Sequence, residues 1–345
     1  MKKFFIIALK LFYTLKITGI PTFNNKKSKY IIWAPNLFSF SFLKKDNLQR
    51  ILSTWYWLQK NKGSASIFTS KKIGRFYNKN IYFTLSNSPN VFEFKNYTSI
   101  YKHIVSNLES QNNVIFPNSK EVLLWENKAY MHSIFKNLEI NSPETEQIDI
   151  RTNNADLILS KWSLPFLIKE IHSCSSNGIY LIKDKQDLIN TIQEVRRSAK
   201  SPTILIQKLL NMRKDLRVIL VKEEIVSHYW RINISDQWKP TSTSKGNIVD
   251  FENFPNQWRN WIIDNFLRLN IRTGAFDIAW ENDDINTTPF ILEVSPFYQP
   301  NPVPKTKYNL ENYGIWKYSL SFNDNYQFKF VKLMHDLQKK IVETL

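Results

Sequence analysis

The segment that most restricts the possible folds lies near the carboxyl end of the chain, where two strand-like runs flank a polar stretch. Residues 274–280 (GAFDIAW) and 290–294 (FILEV) predict a β-hairpin, and a hairpin symmetric about Ile285 pairs Asp277 with Glu293. Side chains alternate between the two faces of a strand, so one face is apolar and the other carries both acids. The predicted core face holds Phe276, Ile278 and Trp280 against Leu292 and Val294. The other face holds Ala275, Asp277 and Ala279 against Ile291, Glu293 and Ser295.

Two directly opposed carboxylates repel each other, and a divalent cation bound between them reverses that effect. The small alanines beside Asp277 leave room for a bulky ligand. Oxygen ligands without a nearby His or Cys favour Mg²⁺ or Mn²⁺ over zinc. The coordination shell of a protein-bound magnesium ion is commonly completed by substrate phosphates. On this basis removal of one carboxylate is expected to stabilise the metal-free protein. The alternative is a solvated hairpin face whose acids bind nothing.

Upstream of the hairpin, short apolar runs alternate with helical patterns, which predicts mixed α/β lobes. Strand-like runs occupy residues 30–35, 114–116, 164–171, 179–182, 203–207, 218–221 and 225–229. Helical spacing of apolar residues covers residues 48–60, 97–110, 125–138, 184–200 and 258–269. With 345 residues, the chain is long enough for two or three domains or lobes, of which the first is a small α/β lobe ending near residue 120.

The positive charge of the chain is concentrated in its first 80 residues. Of the total net charge of +17, residues 1–80 carry +15, from 14 lysines and two arginines against the single acid Asp46. Either this is a solvated lysine surface, or it contacts an anionic partner such as membrane headgroups, an acidic polymer or nucleic acid.

The first 17 residues, MKKFFIIALKLFYTLKI, resemble a signal peptide only superficially. The apolar run at residues 4–9 is shorter than the ~7–15 residues of a signal sequence and the ~20 of a membrane span. Lys3, Lys10 and Thr14 share one helical face, and the other faces are mostly apolar. The segment is therefore an amphipathic helix that either packs on its own domain or lies on an anionic membrane. We expect a cytoplasmic protein, with peripheral contact to the inner membrane surface as the second alternative.

The run LPFLIKEIHSCSSNGIYLI combines a buried-looking lysine with a small polar loop. Lys169 shares a strand face with Leu167 and Ile171, so it either extends to solvent or has an anionic partner. The loop offers hydroxyl and backbone N–H groups, and Gly178 permits close approach of a ligand to the backbone, as in a flap over a phosphate. The alternative is an ordinary serine-rich hairpin without a ligand. Cys174 is the only cysteine, which excludes a disulfide framework, and we expect it to pack rather than to act as a nucleophile.

These segments, taken in order, resemble the ATP-grasp superfamily, and within it the glutathione synthetase and ribosomal-protein glutamate ligase (RimK-like) branch. The resemblance extends over about residues 123–304 and begins at WENKAYMHSIFKNLEINSPET. It continues through PFLIKE, ILIQKLL, KDLRVILV and HYWRI and ends with TGAFDIAW and FILEVSP. Each motif is weakly specific, whereas the ordered set of six, with the paired strands TGAFDIAW and FILEVSP counted as one, is highly specific.

The resemblance implies an α/β protein with the ATP-grasp fold. Residues 1–120 would form a basic N-terminal α/β substrate lobe, residues 121–202 the central ATP-grasp subdomain, and residues 203–345 the C-terminal subdomain with the metal site. The last two would be α+β subdomains that clasp ATP between antiparallel sheets.

The resemblance also implies a role for individual residues. The nucleotide-binding residues would be Lys128, Lys169, Ser175, Ser176, Gly178, Gln207, Lys208, Leu210 and Asp215, the last of them near the ribose. The catalytic arginines that hold the γ-phosphate or the substrate carboxylate would be Arg217 and Arg231. The ligands of Mg²⁺ or Mn²⁺ would be Asp277, Glu293 and Ser295. The five histidines, which are scattered, are expected to be structural: His103, His132, His172, His228 and His335.

The activity implied by the resemblance is ATP-dependent, ADP-forming ligation of a carboxylate to an amine or similar nucleophile through an acyl phosphate. Small-molecule or peptide substrates, and no specific nucleic acid, would be its partners. Two alternatives remain open: phosphoryl transfer to a non-carboxylate acceptor at the same nucleotide site, and a non-catalytic protein that binds anionic surfaces.

Overall fold

The computed structural model describes residues 2–34, 37, 47–70, 75–83, 97–125, 127–172, 178–198, 201–235, 238–241, 248–321 and 323–345. The chain divides into two compact units. Unit 1 comprises Met1–Val122 and Pro296–Leu345, and unit 2 comprises Leu123–Ser295. Residues 296–345 therefore group with the N-terminal lobe, whereas the sequence-based division placed them with the metal-site subdomain.

The secondary structure is mixed along the whole chain. The strands are β1 (Tyr30–Trp33), β2 (Ala65–Phe68), β3 (Asn80–Phe83), β4 (Val114–Phe116), β5 (Thr145–Asp149), β6 (Phe166–Glu170), β7 (Ile179–Ile182), β8 (Thr203–Lys208), β9 (Lys214–Val221), β10 (Glu224–Ile232), β11 (Ile248–Asp250), β12 (Thr273–Ala279) and β13 (Phe290–Ser295). The helices are α1 (Lys2–Thr18), α2 (Asn47–Lys62), α3 (Tyr97–Glu109), α4 (Ser119–Leu124), α5 (Lys128–Asn137), α6 (Ala155–Leu159), α7 (Lys185–Ser198), α8 (Arg259–Arg268), α9 (Lys307–Glu311), α10 (Tyr313–Lys317) and α11 (Tyr326–Glu343). Two short 3-10 helices cover Asn256–Trp258 and Glu281–Asp283.

Unit 1 is built on a four-stranded parallel sheet with the strand order β2-β1-β3-β4, which confirms the predicted α/β lobe. All residues of the inner strand β1 and of the edge strand β2 are buried, as is usual in a parallel sheet, whose two faces are covered. The final helix α11 packs along α2 and completes the core. The side-chain carbonyl of Gln338 accepts hydrogen bonds from Thr54 at 2.8 Å and from Tyr82 at 3.0 Å, so the end of the chain is fixed to its beginning.

Unit 2 contains two antiparallel sheets, ordered β5-β8-β6-β7 and β11-β10-β9-β12-β13. Helix α7 covers an apolar face of the first sheet, where Leu188 packs with Ile168 and Ile206. Helices α5 and α8 cover an apolar face of the second sheet, and Phe135 and Phe266 belong to that core. The second sheet thus has a polar face opposite its apolar core, and this face carries the site described below.

The hairpin of β12 and β13 has the predicted pairing of Asp277 with Glu293, but it is not symmetric. The register shifts after Asp277, so that Ile278 lies opposite Ile291 and Leu292 has no partner. Ile291 is therefore fully buried in the core and Leu292 is only half-buried, the reverse of their predicted faces. The physical reason is a β-bulge, which adds one residue to one strand and reverses the alternation beyond it.

Strand β8 hydrogen-bonds to β5 and β6, so it belongs to the first sheet of unit 2. A division of unit 2 into subdomains therefore falls after Lys208 and not after residue 202. Among the residues that the structure describes, no helix has the length and hydropathy needed to cross a membrane.

Candidate active site

The polar face of the five-stranded sheet carries a row of charged side chains that the strand register brings together. Arg217 in β9 lies opposite Asp277 in β12, and Asp277 lies opposite Glu293 in β13. Two positions farther along, Arg231 in β10 lies opposite Asp215 in β9. Because side chains alternate along each strand, all five share one face of the sheet.

The carboxylate of Asp277 is held by two arginines. Nε and Nη2 of Arg217 donate to Oδ1 and Oδ2 at 2.7 and 2.8 Å, and Nη2 of Arg231 lies 2.9 Å from Oδ2. Burial by itself raises the pKa of Asp277, but the two guanidinium groups lower it more, so this pKa lies well below its ordinary value. In this structure the repulsion between Asp277 and Glu293 is thus offset by an arginine of the neighbouring strand. That corrects the prediction from the hairpin alone, which considered only a metal ion.

Arg231 bridges two carboxylates and is held in one orientation. Its Nε donates to Oδ1 of Asp215 at 2.7 Å, its Nη2 pairs with Oδ2, and Thr241 donates to Oδ2 at 2.6 Å. Asp215 is 1% exposed and Arg231 is 7% exposed. Asp215 therefore acts in this structure as the partner of Arg231, and its position near a ribose stays a prediction.

Two lysines are buried in the same unit beside these carboxylates. Lys169 in β6 is 8% exposed, and Lys128, the first residue of α5, is 5% exposed. Burial lowers the pKa of Lys169 to about 8; the carboxylates of Glu293 and Asp277 oppose that shift, and the charge of Lys128 adds to it. Desolvated lysines gain more from an anionic ligand than exposed ones do, because little water must be displaced.

Helix α5 is fixed to β13, which positions Lys128 relative to Glu293. Met131 Sδ accepts the backbone N–H of Val294 at 3.3 Å in the buried interface. After the helix, the carbonyl of Asn141 accepts the N–H of Ile291 at 2.8 Å. The helix has Asn127 as its cap and Lys128 as its first residue, and it lies within the helix predicted over residues 125–138.

His132 and Gln207 also reach this region, and the histidine was expected to be structural. Burial, together with the charges of Lys169 and Lys128, lowers the pKa of His132 to about 3. Its Nε2 lies 3.3 Å from the side-chain nitrogen of Gln207, which also donates to Thr145 at 2.9 Å. A neutral imidazole adds no positive charge beside the two lysines. The helical spacing i, i+4 from Lys128 is the sequence signal that could have placed His132 here.

Lys208 and Leu210, which the resemblance implies as nucleotide-binding residues, lie at the end of β8 and just after it, and the chain that follows them is anchored to the other sheet. Lys208 is exposed and Leu210 is buried. The backbone N–H of Asn211 donates to Oε1 of Glu281 at 2.9 Å, and its carbonyl accepts the N–H of Asn282 at 2.7 Å. The 3-10 helix after β12 therefore fixes the path of the segment that joins the two sheets.

The predicted flap is described only at its end, because Ser175 and Ser176 lie outside the described residues. Gly178 has a φ of +65°, and a Cβ atom there would lie 3.0 Å from the side chain of Glu170. The absence of a side chain at Gly178 therefore makes room for the side chain of Glu170. From the sequence alone, this glycine was instead interpreted as allowing a phosphate to approach the backbone closely. The β6–β7 hairpin that carries the flap is as predicted.

The residues proposed as metal ligands have the chemistry that a magnesium ion requires. Asp277 and Glu293 are paired, and Ser295 follows on the same face two residues later, opposite Ala275. Among the described residues, no group of three or more His, Cys, Asp or Glu side chains is placed to bind a metal. The carboxylates of Asp277 and Glu293 and the hydroxyl of Ser295 fit a divalent cation whose remaining coordination positions are filled by phosphate oxygens.

Comparison with known proteins identifies one family and one fold. Residues 125–293 match the family model of the RimK-like ATP-grasp domain. No curated protein sequence matches the chain.

Solved structures share the fold over nearly the whole chain. A RimK-domain ATP-grasp protein from Sphaerobacter thermophilus is 10% identical, with a TM-score of 0.54 over 90% of this chain and 98% of its own. D-alanine–D-alanine ligase from Bacillus anthracis is 14% identical, with a TM-score of 0.54 over 91% and 98%. The ATP-grasp ligase PsnB, in complex with a minimal precursor, Mg and ADP, is 8% identical, with a TM-score of 0.53 over 92% and 100%.

Proposed function

Since residues 125–293 match the family model of the RimK-like ATP-grasp domain, we propose that the protein is an ATP-dependent, ADP-forming ligase. It joins a carboxylate to an amine or similar nucleophile by way of an acyl phosphate. The observation that carries this proposal is the set of two buried lysines and two fixed arginines around the pair Asp277 and Glu293. This set suits phosphate chemistry, in which positioning and charge stabilisation do most of the work.

Lys128 and Lys169 bind the phosphates of ATP in this proposal. Both are buried, and Lys169 is held near carboxylates, so neither needs to reorganise when the nucleotide arrives. Asp277 and Glu293, with Ser295, hold a magnesium ion, which when bound neutralises phosphate charge. The adenine lies beside the segment of Gln207, Lys208 and Leu210.

Arg217 is the arginine that contacts the acyl phosphate, because its side chain is 21% exposed, against 8% for Arg231. Two of its nitrogens are occupied by Asp277, which orients the guanidinium plane. Arg231 is a positioning residue that holds Asp277 and Asp215. A planar fork of donors suits both a carboxylate and a phosphate, and no side-chain nucleophile is needed.

The reaction consumes a carboxylate, so the substrate must carry a carboxyl group. The similar structures include a ligase in complex with a precursor and a D-alanine ligase, and we propose a peptide or an amino acid as the substrate here. The basic first 80 residues favour an acidic one. The reaction takes place in the cytoplasm, where ATP is available.

A screen for ADP release tests the proposal. Pools of amino acids and peptides are added to the protein with ATP and Mg²⁺, and we expect at least one acidic pool to stimulate ADP formation. Lys169→Ala should abolish the stimulation, and Lys183→Ala, an exposed lysine outside the site, should retain it. ADP formation that is the same for both variants would contradict the proposal.

A further inference from the structure

The first helix of unit 1 is packed with its polar side chains inward. The buried residues of α1 are Ile6, Lys10, Thr14 and Thr18. Aromatic side chains point away from the protein, and three of them are largely exposed: Phe4 at 68%, Phe5 at 50% and Phe12 at 61%. The helix therefore presents an apolar face to the surroundings, the opposite of an ordinary surface helix.

Specific contacts fix this orientation of α1. Nζ of Lys10 lies 4.7 Å from the ring centroid of Phe330 in α11, a cation–π contact. Thr14 donates to the carbonyl of Lys10 at 2.6 Å, and Thr18 donates to the carbonyl of Thr14 at 3.0 Å. The inward hydroxyl groups are thus satisfied within the helix itself, and a rotation that buried the phenylalanines would break the contact of Lys10 with Phe330. The apolar face is a stable feature of the surface.

The exposed apolar surface continues beyond the helix. Ile20 is 85% exposed, and Phe328, 47% exposed, packs its ring edge-on against Tyr13 at 5.3 Å. Among the residues that the structure describes, unit 1 exposes twelve large apolar side chains and unit 2 exposes four. Because the ring of Phe12 also contacts Tyr13, the exposed rings of α1 and α11 form one continuous cluster, and a contiguous apolar cluster marks an interaction surface.

The same face is cationic. Lys2 and Lys16 are exposed beside the phenylalanines, Lys3 is exposed in the first turn on the side of Lys10, and the helix sequence KKFFIIALKLFYTLKIT contains no acid. The first 80 residues carry a net charge of +15. A partner that fits this face must be apolar beneath and negatively charged at its surface.

We propose that α1 lies in the interface of an anionic lipid membrane. The rings of Phe4, Phe5 and Phe12 enter the boundary of the acyl chains, and Lys2 and Lys16 remain at the level of the lipid phosphates. A second copy of the chain is disfavoured as the occupant, because it would bring two strongly basic surfaces together. The helix lies on the membrane and does not span it. The proposal is independent of the ligase activity.

Co-sedimentation with vesicles, in the absence of nucleotide, tests the proposal on the full chain. We expect pelleting with vesicles of phosphatidylcholine and phosphatidylglycerol, none with phosphatidylcholine alone, and release as salt shortens the Debye length. The triple variant Phe4→Ser, Phe5→Ser and Phe12→Ser should lose the binding. Its control replaces exposed apolar residues of unit 2, Leu157→Ser and Leu267→Ser, and should bind like the wild type.

The charge contribution is tested separately. Each lysine at an anionic surface changes the partition coefficient by roughly five-fold. The triple variant Lys2→Gln, Lys3→Gln and Lys16→Gln should therefore weaken binding on the order of 100-fold. Its control is the variant Lys136→Gln, Lys161→Gln and Lys183→Gln, which removes the same charge from exposed sites in unit 2 and should bind within about two-fold of the wild type.

A fluorescent label distinguishes insertion from mere attraction. Ala8→Cys, in a Cys174→Ser background, places a single cysteine on the exposed face of α1, and Gln193→Cys places one on α7 as the control. An environment-sensitive dye at position 8 should shift to the blue with anionic vesicles, and one at position 193 should not. Circular dichroism confirms that each variant is folded.

Three results would overturn the proposal. The first is wild-type pelleting that is equal for the two vesicle types or absent with both. The second is unchanged pelleting by the folded triple serine variant. The third is a wild-type dimer that becomes a monomer in that variant and binds no vesicles, which would assign the face to a second copy of the chain.

Discussion

At the residue scale, the burial of Lys169 is expected to make the affinity for ATP depend on pH. Its pKa is lowered to about 8 in the free protein, and bound phosphates raise the pKa of a neighbouring lysine. ATP should therefore bind the protonated form. We expect the ATP affinity to be constant below pH 7.5 and to fall up to roughly tenfold per pH unit above about 8. Calorimetric titration between pH 7 and 9.5 measures this profile.

The matched control for that profile is Lys169→Arg, because a guanidinium stays protonated over the whole range. It should bind ATP with a flat pH profile, and Lys183→Arg should keep the wild-type profile. A wild-type profile that is flat up to pH 9.5 would show that Lys169 does not bind the phosphates.

Arg217 is expected to act in the chemical step more than in binding. Arg217→Lys keeps the positive charge but loses the planar pair of donors that Asp277 orients. We expect ATP affinity within about three-fold of the wild type and turnover reduced on the order of 100-fold or more. Arg197→Lys, on the exposed side of α7, is the control. An equal loss of binding and turnover would assign Arg217 to the nucleotide instead.

The sequence is informative at this scale where a residue type is unusual for its local pattern. Lys169 within an apolar strand is recognisable in this way, whereas Lys128 is identified only by the family resemblance; both are buried. His132 is not unusual for its pattern, because a single histidine on a helix is ordinary, and only its i, i+4 spacing from Lys128 links it to the site. Its position beside the lysines results from the contact of α5 with β13, which local sequence does not encode.

At the scale of elements, the charged ladder across β10, β9, β12 and β13 determines the effect of removing a carboxylate. Asp277→Asn leaves the half-buried Arg217 and the buried Arg231 with one charged partner fewer. We expect a loss of about 3–5 kcal/mol in the free energy of unfolding, measured by urea denaturation. That is the reverse of the stabilisation expected from the hairpin alone.

Glu293→Gln is the matched comparison on the opposite strand. Glu293 is half-buried, so its loss should cost less than about 1 kcal/mol of stability. Both variants should lose metal-dependent turnover. Equal stability changes for the two, or a stabilised Asp277→Asn, would contradict the account of the ladder.

The hairpin of β12 and β13 shows which structural features the alternation of polar and apolar residues can predict. The distance of each acid from the polar turn is enough to predict the pairing of Asp277 with Glu293. The bulge at Leu292 is not predictable, because it depends on how Ile291 fits the core beneath the sheet. Arg217 was recognised, but its contact with Asp277 depends on the neighbouring strand β9, which is distant in sequence.

At the scale of the whole molecule, Gln338 joins the end of the chain to the first sheet. Gln338→Leu removes the shared acceptor of the Thr54 and Tyr82 hydroxyl groups in a buried site. We expect a loss of about 1–3 kcal/mol in the stability of unit 1, measured by thermal unfolding. Lys332→Gln, an exposed change on the same helix, should leave the midpoint unchanged. An equal effect of the two changes would exclude the role assigned to Gln338.

The assignment of residues 296–345 could not be derived from local patterns. The helix α11 has its own periodicity, but which lobe it joins depends on contacts with residues 54 and 82, more than 200 positions away. The fold of residues 125–293, in contrast, is recognisable from six short motifs in order, and the family match covers the same segment. The ordered motifs therefore predict the fold of residues 125–293 better than local patterns predict which lobe α11 joins.

The most direct test of the central claim is hydroxamate formation. The wild-type protein is incubated with ATP, Mg²⁺, hydroxylamine and the amino acid or peptide that stimulates ADP release. We expect a hydroxamate of that substrate in proportion to the ADP formed, and none with Lys169→Ala. ADP formation with a phosphorylated acceptor and no hydroxamate would contradict the ligase account and identify the protein as a phosphotransferase.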